Sequence, residues 1–201
     1  MNSIISIMKK ATWLLIIFTV LCGVLYTAVI TMTAQVFFPK QANGSIIEAD
    51  GRKYGSELLG QKFTNERHMW GRIMNIDVTT YKSKDNKTLM YATPSNLSPA
   101  SDEYEDLVEQ RVAMLREANP NMDEASIPVD LVTGSGSGLD PHISPAAADY
   151  QVSRIANAHH MTEEEVRGII GRCTNDKFLG VFGEETVNVL KVNLILDGLV
   201  E

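Results

Sequence analysis

From Ala11 to Phe38 the chain runs through 28 residues without one charged side chain, and no other feature narrows its architecture as much. A helix needs about 20 apolar residues to cross a hydrocarbon core of about 30 Å, so this run can span a bilayer with tilt. A cleaved secretory signal is the competing reading. Its apolar region is normally about 7–15 residues and ends at a small-x-small site, whereas here Met32 stands where a small residue is wanted before Ala34. Trp13 near one end and Phe37-Phe38-Pro39-Lys40 at the other suit aromatic rings at the two interfaces and a proline that stops the helix. Lys9 and Lys10 lie within a turn of the apolar start, while the far flank offers Lys40 and then nothing basic until Arg52. The excess of positive charge on the first side predicts a cytoplasmic N-terminus at 1–10, a transmembrane helix at 11–38 and an extracytoplasmic domain at 39–201.

Within the span Thr19, Gly23, Thr27, Thr31 and Gln35 recur at every fourth residue. In lipid, helices associate through close approach at small residues and hydrogen bonds from polar ones, so this ridge is a candidate for packing on a neighbouring helix. Four-residue steps drift by about 40° each on a 3.6-residue helix, which predicts a stripe that winds partly around the cylinder. The plainer alternative is that threonine is simply tolerated in membrane helices, although Gln35 adds a full amide to the row.

A chain of 201 residues with 44% hydrophobic content has room for one span and one globular domain, but not for two domains each with its own core. Lys9 and Lys10 are the only charges before residue 40, so of the net −7 the soluble part carries −9. An acidic domain repels phosphate backbones, and no basic, aromatic-interleaved stripe offsets this, which argues against a nucleic-acid partner. Cys22 lies inside the apolar run and Cys173 on an expected helix, so a disulfide between them is geometrically implausible. Core, anchor and partner are left to hold the domain, with anchor and partner favoured.

The soluble part is expected to be α+β, with helices mainly in its C-terminal half. Ile46-Ile47-Glu48, the turn Ala49-Asp50-Gly51-Arg52 and Tyr54 to Leu59 form an expected hairpin. Thr79 to Ala100 has no sustained apolar period and is expected to be an exposed loop. Ser101 caps an expected helix from Asp102 to about Ala118, with Tyr104, Leu107, Val108, Val112 and Leu115 on one face. Ser144 followed by Pro145 starts a second, to about His160. Thr162 and Glu165 make a capping box for a third, which places Val166, Ile169, Ile170 and Cys173 in the core. Val187 to Leu199 reads as a strand from its β-branched residues or as a helix from Leu190, Leu194 and Ile195, with helix favoured.

Little in this sequence points to chemistry of its own. Gly134-Ser135-Gly136-Ser137-Gly138 precedes a helix, but a phosphate-binding loop wants lysine and a hydroxyl next, and here Leu139-Asp140 follows. A flexible connection is the favoured reading. Asp140 and His142 offer two metal ligands without a third at useful spacing, and Asp140-Pro141 is a turn initiator. His159 and His160 end a helix, where a partly positive imidazole complements the dipole. No nucleophile, base and acid arrangement stands out, so the chain is not expected to be an enzyme by itself, nor to hold a metal or cofactor. Gln61, Arg72, Gln151 and Arg154 suit contacts with a partner, or are solvated surface groups.

Ser135-Gly136-Ser137-Gly138-Leu139-Asp140-Pro141-His142-Ile143-Ser144-Pro145-Ala146-Ala147, followed by Gln151-Val152 and Arg154, closely resembles the C subunit of the Kdp-type potassium-transporting P-type ATPase of bacteria and archaea. The resemblance extends back through Gly55 to Phe63 and Trp70-Gly71-Arg72, and forward to Leu179-Gly180 and Val187 to Leu190. Two stretches depart from the family pattern. Ile73-Met74 follows Arg72 in place of Pro-Ser, and Ala92 to Pro99 replaces a stretch with more glycine. With Ser95 and Asn96 of that stretch, Asp140 and His142 join the partner-contact candidates.

The resemblance implies a non-catalytic subunit in the bacterial or archaeal cell (inner) membrane. Its partners would be a polytopic potassium-conducting subunit, a P-type ATP-hydrolysing subunit and a very small single-helix subunit, with ATP and potassium handled by the complex. It also implies a rise in the ATP affinity of the pump subunit, which an outward domain can exert only through the membrane helices. The competing expectation is an anchored extracytoplasmic domain that binds a small ligand or acts as a sensor.

Overall fold

A computed structural model describes residues 2–77, 81–87, 89, 91–122 and 125–200. The chain divides into two units, Met1–Ile46 and Ile47–Glu201.

The first unit is a long helix. Helix α1 (Asn2–Phe18) continues into a π-helical segment, Thr19–Tyr26, and then into α2 (Thr27–Phe37). Ser3–Phe37 is 35 residues long and apolar enough to cross a membrane. The helix therefore begins well before the uncharged run, and Lys9 and Lys10 lie within it. At about 1.5 Å per residue such a helix exceeds a hydrocarbon core, leaving turns to tilt or protrude. It stops where expected. Phe38 leaves helical geometry (φ −135°, ψ 51°) because the residue before a proline is pushed out of the α region, and Pro39 opens the short α3 (Pro39–Ala42).

The second unit opens with the expected hairpin, β1 (Ile46–Ala49) paired with β2 (Arg52–Ser56). Asp50 and Gly51 both take positive φ, 51° and 71°, as a two-residue turn matched to strand twist requires. The expected loop from Thr79 to Ala100 lies partly outside the described residues. Its far end is not all loop, because β3 (Ile76–Asp77) pairs antiparallel with β4 (Tyr91–Ala92).

Helix α4 (Asp102–Ala118) matches its expected bounds. Ser101 Oγ accepts from the Tyr104 N–H at 3.3 Å, and Asp102, Glu103 and Glu105 fill the first turn. Of its expected apolar face only Leu115 is fully buried. A short α5 (Val129–Val132) follows.

The helix expected from Pro145 to His160 is two helices, α6 (Pro145–Asp149) and α7 (Val152–His159). The break falls at Tyr150-Gln151, where Gln151 (φ −100°, ψ −5°) turns the chain and sends its side chain to a distant backbone segment. Helix α8 (Glu163–Arg172) carries the expected capping box, and Val166, Ile169, Ile170 and Cys173 are buried as expected.

The last segment resolves as both alternatives in succession. A three-stranded antiparallel sheet has the order β5 (His142–Ile143), β7 (Thr186–Asn188), β6 (Thr174–Asn175), and β7 runs straight into α9 (Val189–Leu196). Asn188 makes the switch, with its Oδ1 accepting from the Lys191 N–H at 3.0 Å as an N-cap. Helices α6, α7, α8 and α9 pack with the sheet around Met69, Trp70, Leu131, Ile155 and Val192.

Candidate functional site

Two surfaces gather the residues singled out by sequence, one on each unit, and a third group of those residues turns out to be interior.

On the first unit the ridge Thr19, Gly23, Thr27, Thr31 and Gln35 lies on continuous helix. A four-residue step overshoots an α turn of 3.6 residues by about 40°. The same step falls short of a π turn, which closes i→i+5 and takes roughly 4.4 residues. Thr19, Gly23 and Thr27 are spaced through the π segment, and Thr27, Thr31 and Gln35 through α2. The two drifts oppose, so the ridge keeps to one side of the helix instead of winding as the sequence alone predicts. Thr27 Oγ1 donates to the Cys22 carbonyl at 3.1 Å, five residues back. Gln35 has a partner within the unit: its Oε1 accepts from Asn43 Nδ2 at 3.0 Å and its Nε2 faces Asn43 Oδ1 at 3.4 Å.

On the second unit the family-like loop builds an open pocket that mixes charged and apolar side chains. It has a volume of about 470 Å³ and is lined by Arg72, Asp130, Asp140, His142, Ser144 and Glu184 among others. The glycine-rich loop before it is no flexible connection. Gly138 (φ 72°) has its Cβ position 2.6 Å from the Thr93 carbonyl oxygen, so only glycine allows this approach. Its N–H donates to the Ser135 carbonyl at 3.2 Å and to Ser135 Oγ at 3.1 Å. Asp140 Oδ1 then accepts from the His142 N–H at 3.0 Å, the turn expected of Asp-Pro. Asp130, which no local pattern marks, is buried beneath the loop and accepts from the Ser144 N–H at 2.6 Å and from Ser144 Oγ at 3.1 Å.

Arg72 closes one wall of the pocket. Its Nη2 donates to the Gly134 carbonyl at 2.9 Å and lies 3.3 Å from Thr133 Oγ1, while Nη1 is 3.9 Å from Asp140 Oδ2. Among the described residues its buried Nε has no hydrogen-bond partner. His142 faces Asp140 Oδ1 through Nδ1 at 3.7 Å, and its Nε2 lies 3.4 Å and 3.5 Å from the side-chain amides of Asn188 and Asn175. Those amides donate, which assigns Nε2 as the acceptor and the proton to Nδ1. Burial pushes the His142 pKa down; Asp140 opposes this, Lys191 adds to it and Glu57 opposes it. Among the described residues no group of three or more His, Cys, Asp or Glu is placed to hold a metal ion.

Gln151 and Arg154 are not surface groups, contrary to the reading of them as solvated. Gln151 is fully buried and Arg154 is 8% exposed. Gln151 Oε1 accepts from the Trp70 N–H at 2.8 Å, and its Nε2 donates to the Trp70 carbonyl at 3.0 Å. Asn193 treats Met69 in the same way, at 2.7 Å and 3.0 Å. Arg154 donates through Nη2 to Gln151 Oε1 at 2.7 Å, through Nε to Asn119 Oδ1 at 3.2 Å, and through Nη1 to the carbonyls of Glu66 and of His68, the latter at 2.9 Å. Its guanidinium sits 4.5 Å from the Trp70 ring centroid, and burial lowers its pKa to about 10. These residues fasten the segment that delivers Arg72 to the pocket.

Gln61 secures the hairpin: its Nε2 donates to the Tyr54 carbonyl at 2.9 Å and occupies the space that a Cβ on Gly55 (φ 147°) would need. Ser95 and Asn96 are exposed, with Asn96 in the left-handed region at φ 55°.

Comparison with known proteins places these features in a family. The family model described as KdpC, the c chain of the K+-transporting ATPase, matches residues 8–198. A potassium-transporting ATPase KdpC subunit of Clostridium perfringens is 58% identical over 194 residues, covering 96% of this chain and 98% of that one. One from Clostridium botulinum is 57% identical over 98% of each chain. One from Sorangium cellulosum is 45% identical over 95% of this chain and 97% of its own.

Proposed function

Because this chain belongs to the KdpC family, the c chain of the K+-transporting ATPase, it is a subunit of a potassium-transport complex, and we propose that it serves there as a non-catalytic scaffold docked through its membrane helix. The observation that carries this reading is the π segment, which keeps Thr19, Gly23, Thr27, Thr31 and Gln35 on one side of the span. A helix with such a face gains from packing on another helix, through close approach at Gly23 and hydrogen bonds from the threonines. A lone anchor has no use for it.

In this reading the helix docks on a polytopic potassium-conducting subunit in the cell membrane, alongside an ATP-hydrolysing subunit and a very small single-helix one. The N-terminus is cytoplasmic and the domain from residue 39 onward lies outside. The acidic domain packs near the ion entrance and raises the local cation concentration modestly, over the roughly 8 Å that physiological salt allows. Ser95, Asn96, Arg72, Asp140 and His142 are the contact groups the domain offers, since Gln151 and Arg154 are spent inside it. The subunit supports assembly and raises the ATP affinity of its catalytic partner. As the domain and the ATP site lie on opposite sides of the membrane, that effect passes through packed membrane helices.

Protease treatment of sealed membrane vesicles tests the topology on which this rests. The domain is expected to be cleaved only when its outer face is presented to the protease. Digestion from the cytoplasmic face in intact vesicles would overturn the arrangement and leave a direct contact with the ATP-hydrolysing subunit as the route.

A further inference from the structure

Between β6 and β7 the chain puts out a tip that none of the described residues covers. Phe178, Leu179, Val181 and Phe182 are 71%, 75%, 74% and 63% exposed, the densest group of uncovered large apolar side chains among the described residues of the second unit. A folded domain gains by burying such groups, so a compact exposed cluster of them marks an interaction site more often than an accident of the surface.

The tip has a defined shape. Phe178 and Phe182 exchange two backbone hydrogen bonds, at 2.8 Å and 3.0 Å, and Gly180 donates to the Lys177 carbonyl at 2.9 Å. Leu179 sits in the left-handed region at φ 54°, where a branched apolar residue is strained, and Gly180 follows at φ 73°. A turn position that suits glycine or asparagine is thus occupied by a leucine that points its side chain into solvent. Folding alone gives no reason for that choice.

The charges at the base identify the occupant. Asp176, Lys177, Glu184 and Glu185 flank the tip with a net charge of −2, and Lys177 is held by Glu184 at 3.2 Å. Anionic lipid headgroups repel such a base, whereas membrane-surface segments carry clustered basic residues. A protein pocket with an apolar floor and a basic rim complements it, and aromatic side chains, phenylalanine included, are enriched at the cores of such contacts.

We propose that the Phe178–Phe182 tip is a docking plug that inserts into an apolar, basic-rimmed socket on another subunit of the potassium-transport complex. The inference rests on the reading of this chain as a docked accessory subunit, and adds a second attachment point on the soluble domain.

The test uses the full-length chain expressed with the other subunits. A photoreactive benzoylphenylalanine is placed at position 179, and L179N, which suits the left-handed turn but removes the apolar group, is made alongside. Crosslinking to another subunit is expected, together with about a tenfold loss of co-purified partner for L179N while its melting temperature stays equal or rises. Crosslinks confined to lipid or to a second copy of this chain would overturn the proposal, as would wild-type co-purification by L179N. Should the unsubstituted chain itself emerge without partners, the accessory reading falls and takes the plug with it. Partners retained by the unsubstituted chain, with no crosslink from position 179, remove the plug alone.

Discussion

The side-chain amide of Gln151 clamps the backbone of Trp70, accepting from its N–H at 2.8 Å and donating to its carbonyl at 3.0 Å across 81 residues of sequence. It acts as one rung of a β-ladder supplied by a side chain, and Asn193 supplies the next rung to Met69. Both amides are almost wholly buried, so neither backbone segment has water as a substitute.

Truncating either amide therefore strands a buried N–H and a buried carbonyl together. Each such group costs about 1–3 kcal/mol, so Q151A and N193A are each expected to destabilise the domain by about 3 kcal/mol. Thermal unfolding of the full-length protein in detergent checks this; a loss below about 1 kcal/mol would show that the clamp is not needed.

Gly138 and Gly136 separate close packing from mere loop composition. G138A sets a Cβ against the Thr93 carbonyl at a positive φ and is expected to cost about 1–3 kcal/mol, while G136A meets nothing within 4 Å and is expected to be near neutral. Equal melting temperatures for the two variants would contradict a packed loop.

His142 gives the domain an acid-sensitive point. Its pKa is lowered in the folded state, chiefly by burial, so on acidification the unfolded chain takes up its proton first. The contribution of a neutral His142 is intact above about pH 6.5 and is lost as pH falls below that, with the protonated ring set against the Asn188 and Asn175 amides, which already donate to it. The fall in melting temperature from about pH 7.5 to about pH 5.5 is expected to be smaller in H142Q than in wild type. Parallel profiles would remove His142 from the acid response.

The local grammar of this fold is legible in the sequence, whereas its long-range polar contacts are not. The hairpin at Asp50-Gly51, the Ser101 cap and the Thr162–Glu165 capping box depend on residues within a turn of one another, and each is found as expected. Gln151 and Arg154 read as surface because polar groups on a helix usually face water; their partners at Trp70, His68 and Asn119 are more than 30 residues away. Val187 to Leu199 resists a single assignment because Asn188 ends a strand and caps a helix at one position. Of the pocket, Arg72, Asp140 and His142 are legible through the family-like motif, but Asp130 carries no local signal at all.

The ridge on the span makes a further prediction. G23L and T27L remove close approach and hydrogen bonding from that face without lowering hydrophobicity. With each, the ATP concentration needed for half-maximal activity of the assembled complex is expected to rise about fivefold or more, the low end of ordinary coupling between sites. An unchanged ATP dependence with the subunit still bound would exclude the membrane helices as the route.

Docking is tested most directly by purification of the tagged full-length protein from native membranes in mild detergent, with identification of what accompanies it. Large polytopic subunits with potassium-stimulated ATPase activity are predicted to come with it, and in lower yield with G23L and T27L. A well-folded protein that emerges alone would contradict the central claim and return attention to the open pocket at Arg72, Asp140 and His142 as a site for a small ligand.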